Sequence, residues 1–256
     1  MPENLKLLAF DTSTDRLSIA VTDGVRVWQH SGPGGAQAST ALIPAILALL
    51  AESGLGLDVL DAIAFGRGPG SFTGLRTACA VAQGLAFGAR HGAGIPVLPI
   101  DTLMAVAEEA RYQETSRSGM PGDAVFRVTA LLDARMDEMY VQSYEFNSGM
   151  CTSTMDCELI RPENLMLGPS LHWLAGNVFK VYADRLPAAL AAFPRVEALP
   201  TATAMLRLAP ALVAAGHCVA AALALPIYVR DKVALTTEER AQAKSDKAQA
   251  ALAHPA

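Results

Sequence analysis

Gly66-Arg67-Gly68-Pro69-Gly70-Ser71-Phe72-Thr73-Gly74-Leu75-Arg76 joins an apolar run, Ala62-Ile63-Ala64-Phe65, to a small-residue stretch over residues 77–87. The run reads as a buried strand and the stretch as a helix. Four glycines within nine residues permit positive φ and close backbone approach. Strand, glycine turn and helix N-terminus are the parts of an anion site. They are equally the parts of a tight strand-to-helix turn. The phosphate-loop pattern Gly-x4-Gly-Lys-Ser/Thr is absent, because Leu75 follows Gly74 where a lysine is required. The dinucleotide pattern Gly-x-Gly-x-x-Gly fails too: Gly68 and Gly70 fit, but Thr73 holds the third place.

Upstream, residues 5–10 are an apolar-rich strand, and Leu17, Ile19 and Val21 alternate as strand residues do. Asp23-Gly24 signals a two-residue hairpin into a third strand at 25–29. A helix lies within 37–53 and ends at Gly54; Pro44 kinks it or marks its true start. A fourth strand occupies 61–65 and a fifth 97–100. Asp101 or Thr102 then caps a helix running to about Tyr112. Three strands in a meander, then helix, strand, helix, strand, is the order of an RNase H-like lobe. The actin, Hsp70 and sugar-kinase superfamily uses two such lobes. Ser116, Ser118, Gly119, Pro121 and Gly122 make 114–123 a polar boundary, and strands at 124–133, 138–146 and 152–159 open a second set. The expected fold class is α/β, two RNase H-like lobes with mixed sheets flanked by helices. The lobes are expected at 1–113 and 114–231, with a helix near 202–215 packing back on the first and a strand near 227–229. A polar tail, 232–256, is read as frayed or disordered, with Thr236 and Glu239 at capping-box spacing.

Composition narrows the function classes. Hydrophobic residues make up 52% of 256, enough for a large core. A net charge of −5 disfavours stand-alone binding of nucleic acid, which needs clustered Lys and Arg. Cys79, Cys151, Cys157 and Cys218 form no Cys-x-x-Cys, and free thiols are expected. Residues 1–10 lack the basic start and apolar core of a signal peptide, so cytoplasmic residence is expected. Residues 208–229 are long and apolar enough to span a bilayer, but Pro210, Gly216 and Pro226 favour a helix, a turn and a strand.

The whole undecapeptide resembles the signature of the TsaB (YeaZ) family. Three further segments match in order: Phe10-Asp11-Thr12-Ser13-Thr14, Leu132-Asp133-Ala134-Arg135-Met136-Asp137-Glu138-Met139-Tyr140, and Pro226-Ile227-Tyr228-Val229-Arg230. The resemblance covers residues 5–231. It implies a non-catalytic scaffold or activator that binds a TsaD-type catalytic subunit, in an assembly forming threonylcarbamoyladenosine at adenosine 37 of tRNAs that read ANN codons. It also implies a TsaE-type ATPase joining through the complex, with tRNA contacted mainly by other subunits. It leaves open a homodimer of the free chain.

In the kinase-like superfamily the turn Asp11-Thr12-Ser13 holds phosphate; the bland alternative is a polar turn capped by its own Asp. A working nucleotide site needs a second phosphate turn. Asp133-Ala134-Arg135 lacks glycine, and Ala175-Gly176-Asn177 has one where two are usual. Asp11, Thr12, Ser13, Gly68 and Gly70 are therefore candidates of a degenerate site, with ATP bound weakly and no cofactor held tightly. The related TsaD carries His-x-x-x-His on its first long helix. Residues 36–42 here hold no histidine, Ala38 stands where many relatives keep one, and the five histidines show no ligand spacing, so no metal is expected. Leu42, Ile43, Ile46 and Leu49 belong to a first helix that is apolar nearly all round. Either this chain's C-terminal helix covers its outer side, or a partner does. Ala78, Ala82 and Leu85 on the small-residue second helix join that candidate interface. The rivals are a stand-alone ATPase or small-molecule kinase of the same fold, and a glycoprotease-like peptidase.

Overall fold

A computed structural model describes residues 4–168 and 173–230. The tail and its capping-box spacing lie outside the described residues.

The first sheet has the order β3-β2-β1-β4-β5, built from β1 (Leu7–Asp11), β2 (Arg16–Thr22), β3 (Val27–Pro33), β4 (Ala62–Gly68) and β5 (Val97–Asp101). β1, β2 and β3 pair antiparallel, while β1, β4 and β5 run parallel. Strand periodicity sorts its side chains to two faces. Leu8, Phe10, Ile19, Ile63 and Phe65 face α1 (Ala38–Ser53) and α2 (Phe72–Gly88). Leu7, Ala9, Ala20, Ala62 and Ala64 face α3 (Thr102–Ser118) and α4 (Ala202–Ala214).

The second sheet has the order β11-β10-β6-β7-β8, from β6 (Phe126–Arg135), β7 (Glu138–Asn147), β8 (Met150–Ser153), β10 (Trp173–Gly176) and β11 (Arg195–Glu197); β9 (Glu158–Ile160) also pairs with β7. Its inner face, including Phe126, Val128, Ala130 and Tyr144, joins the same core as α3 and α4. Ala105, Ala107 and Ala110 are fully buried, and their small side chains let α3 sit between two sheets. Two lobes of the actin-like class thus share one continuous core.

Several local expectations change. The hairpin loop spans residues 23–26, not two, because Thr22 pairs with Val27. Asp23 Oδ1 accepts from the amides of Val25 and Arg26 at 2.8 and 2.7 Å, which closes the wider turn. α3 passes Tyr112 to Ser118, carried by Gln113–Glu109 and Arg117–Glu114 contacts one turn apart and stopped by Gly119 at φ 67°. The expected strand at 152–159 is two strands, split where Gln142 and Ser153 bond Met155 O. Residues 227–229 form no strand. Pro44 lies inside α1, on its exposed side. By length and composition Gly35–Ser53 is the one described helix able to cross a membrane, but its buried residues pack on the sheet. The stretch at 208–229 breaks after Ala214, with Gly216 at φ 78°.

Candidate functional site

β1 delivers Asp11, Thr12 and Ser13 to the C-terminal edge of the first sheet, and β4 delivers the glycine loop beside them. The two segments hold each other. Asp11 Oδ1 accepts from Ser13 N at 2.8 Å and from Ser13 Oγ at 2.6 Å. Thr12 Oγ1 donates to Gly74 O at 2.7 Å, and Ser71 N donates to Ser13 O at 2.7 Å. Ser71 Oγ caps α2 by accepting from Gly74 N at 3.5 Å.

The glycines are what permit this fit. A Cβ at Gly66 would overlap the Asp11 carboxylate, and one at Gly74 would overlap Thr12 O. At Gly70 it would stand 2.6 Å from Ser13 Cβ and 2.7 Å from Ser13 O. Gly68 has φ +120°, and a Cβ there would lie 2.6 Å from Ile227 O. The loop cradles its own first turn. Of the two readings the sequence left open, the geometry is that of the tight turn.

Asp11 is fully buried, and its Oδ2 has no hydrogen-bond partner. Burial raises its pKa to about 6, against the Ser13 bonds that lower it.

The second turn closes the cleft from the other lobe. Asp133 N donates to Asn177 Oδ1 at 2.9 Å, while Asp133 Oδ1 accepts from Arg135 N at 2.9 Å and from Tyr182 OH at 2.8 Å. Arg135 Nη2 reaches Asp15 Oδ2 of the first lobe at 2.5 Å. The amides of Asp133 and Arg135 are therefore engaged within the protein. Gly176 serves the sheet, since a Cβ there would overlap Leu131 O. Ser13, Ser71, Asp133, Arg135 and Asn177 line a cavity of 410 Å³ between the lobes. Sequence reasoning brought both turns to one cleft. It missed Asn177 as the acceptor for Asp133 N, and it missed Tyr228 and Arg230, which also line the cavity. Both belong to the segment Pro226-Ile227-Tyr228-Val229-Arg230, whose family resemblance was their one signal.

The candidate interface needs correction. Leu42, Ile46, Leu49, Ala78 and Ala82 are buried in the chain's own core, packed on β2 and β4 residues such as Ile19 and Ile63. Leu85 is half-buried and Ile43 is exposed. The outward faces carry Ile43, Pro44, Leu47 and Ala48 on α1, and Ala80, Gly84 and Phe87 on α2. α4 does not cover them: it lies on the opposite face of the sheet.

Among the described residues no group of three His, Cys, Asp or Glu side chains is placed to hold a metal. All four cysteines are free, and burial pushes each thiol upward, Cys157 to about 12. None is poised as a thiolate nucleophile.

Two mixed sheets flanked by helices, with a cleft between them, define a two-lobed protein of the actin-like class. A family model described as "TsaD: tRNA N6-adenosine threonylcarbamoyltransferase" matches residues 33–256. The chain is 35% identical over 241 residues to the tRNA threonylcarbamoyladenosine biosynthesis protein TsaB of Haemophilus influenzae, covering 90% of this chain and 96% of that one. It is 31% identical to the Escherichia coli protein of the same name, with the same coverage. The solved structure of YeaZ from Pseudomonas aeruginosa superposes with a TM-score of 0.75 at 36% identity, over 88% of this chain and 99% of that one. The chain belongs to the TsaB (YeaZ) family.

Proposed function

We propose that this chain is a non-catalytic subunit in the formation of threonylcarbamoyladenosine on tRNA, docked on a TsaD-type catalytic subunit through the outward faces of α1 and α2. The carrying observation is an apolar ridge that nothing among the described residues covers. Ile43 is 43% exposed, Leu47 51% and Phe87 73%. Between them Ala48, Ala80 and Gly84 present small side chains, which let a partner helix approach closely. A second copy of the free chain meets the same ridge, so a homodimer competes with the heteromeric assembly. A TsaE-type ATPase joins through the complex, and tRNA is held mainly by the other subunits. The chain works in the cytoplasm, beside its tRNA substrate. The test is co-purification with the TsaD-type protein of the same cell, then tRNA modification with each subunit omitted. Modification is expected only with both; full modification by the catalytic subunit alone overturns the assignment.

The cleft binds ATP weakly and does not turn it over. The support is chemical: the amides of Ser13, Asp133 and Arg135 are taken up by the side chains of Asp11, Asn177 and Asp133, so phosphate finds few free donors. Calorimetry on the isolated chain is expected to show affinity weaker than micromolar, and tighter binding would favour a kinase-like role.

A further inference from the structure

After α4 the backbone pairs Val219 with Val97 and then runs as an irregular strap, residues 224–230, past the mouth of the cleft. The first part of the strap is fixed to the first lobe. Ala224 O accepts from Cys79 Sγ at 3.2 Å and from Gln83 Nε2 at 2.9 Å, both on α2. Ile227 N donates to Arg67 O at 2.7 Å. The Tyr228 ring stacks on Phe72 with centroids 4.5 Å apart, and its hydroxyl accepts from Arg76 Nε at 3.2 Å.

Two residues later the strap grips the second lobe. Arg230 Nη2 lies 2.8 Å from Glu138 Oε2 and donates to Ala134 O at 3.0 Å and Arg135 O at 3.2 Å. The Arg230 side chain is 11% exposed and that of Glu138 32%, so their ion pair is partly shielded from solvent. The neighbouring tie across the cleft, Arg135 to Asp15, is exposed at both ends and holds little.

We propose that residues 224–230 are a clasp in series, anchored on the first lobe at Tyr228 and on the second at Arg230, that holds the lobes closed over the 410 Å³ cavity. The hairpin tip it grips needs holding. Arg135, Met136 and Asp137 stand in succession at φ 61°, 57° and 63°, a conformation side chains rarely adopt unless the surroundings fix it. Arg185 holds the tip from one side, with Nη1 2.7 Å from Asp137 Oδ1, and Arg230 adds the restraint from the strap by binding the carbonyls of Ala134 and Arg135. Ile227 stays tied to Arg67 in either case, so cutting one anchor loosens the end of the strap, and with it the tip, rather than releasing the whole strap.

The test is hydrogen exchange on the full chain, reading residues 133–140 against β1 as an internal reference. Tyr228→Ala, Arg230→Met and the double variant are compared with wild type. Tyr228→Ala is expected to raise exchange at the tip roughly tenfold over β1, although its anchoring partners are on α2. Arg230→Met does the same, and the double variant exchanges no faster than the faster single one, as a link in series requires. Tyr228→Phe, which keeps the ring stack, stays near wild type at the tip. Three results overturn the clasp. One is a Tyr228→Ala effect confined to residues 67–76. Another is multiplication of the two single effects in the double variant. The third is uniform acceleration across β1 and the tip.

Discussion

Asp11 ends β1 with one carboxylate oxygen bonded twice to Ser13 and the other without a partner. Its folded pKa of about 6 lies above the ordinary 3.8. Such a group adds stability that is complete below the unfolded value and is lost as pH rises through the folded one. At ~1.4 kcal/mol per unit, the loss is on the order of 2–3 kcal/mol. Asp11→Asn keeps the oxygen that faces Ser13. It is expected to be more stable than wild type at about pH 7.5 and to lose that advantage near pH 4. Urea unfolding at the two pH values checks this; equal stability at the higher one rules it out. Gly70→Ala acts by contact alone, since Ser13 stands where the methyl must go. A loss of about 1–3 kcal/mol is expected in the same assay, unchanged by ATP. The need for glycine at 66, 68, 70 and 74 was legible in their spacing. Which backbone they admit was not, because a glycine reports a close neighbour without naming it.

At the scale of elements, α1 separates what sequence can and cannot say. Its length and its stop at Gly54, which sits at φ 72°, follow from composition and glycine placement. Which side faces the sheet does not, because a helix apolar all round offers no contrast between faces. Packing settles it: Ile46 is fully buried and Ile43 stands in solvent, three residues apart. Ile46→Asp is therefore expected to unfold the monomer, since an unpaired buried charge costs several kcal/mol. Ile43→Asp is expected to melt as wild type does and to lose the catalytic subunit in a pull-down. A stably folded Ile46→Asp would put that residue back at the surface, and normal partner binding by Ile43→Asp would move the docking face elsewhere. The single strand expected at 152–159 failed for a local reason. Side-chain bonds from Gln142 and Ser153 to Met155 O pull the backbone out of the ladder, and alternation gives no warning of that.

For the whole molecule, the succession of three antiparallel strands and two helix–strand steps was enough to specify the first sheet. The sharing of a core was not, since it rests on contacts between α3 and α4 that are far apart in the chain. Glu108 on α3 takes both Arg111 and Arg207, the latter from α4 at 2.8 Å, and no local pattern announces such a pair. The first sheet thus depends on a helix that begins at Ala202. A chain ending at Pro200 leaves Leu7, Ala9 and Ala20 without that cover. It is expected to bind a hydrophobic dye and to melt without a cooperative transition; a sharp calorimetric peak would show the cover to be dispensable. The same dependence sets a timetable on the ribosome. The strands that open the chain emerge early, and the helix that seals one of their faces emerges late. Synthesis from Ser118 to Ala202 takes roughly 4–17 s at bacterial and eukaryotic elongation rates. Throughout that interval one face of the nascent sheet stands half-dressed, so the second lobe's length fixes how long that face meets water.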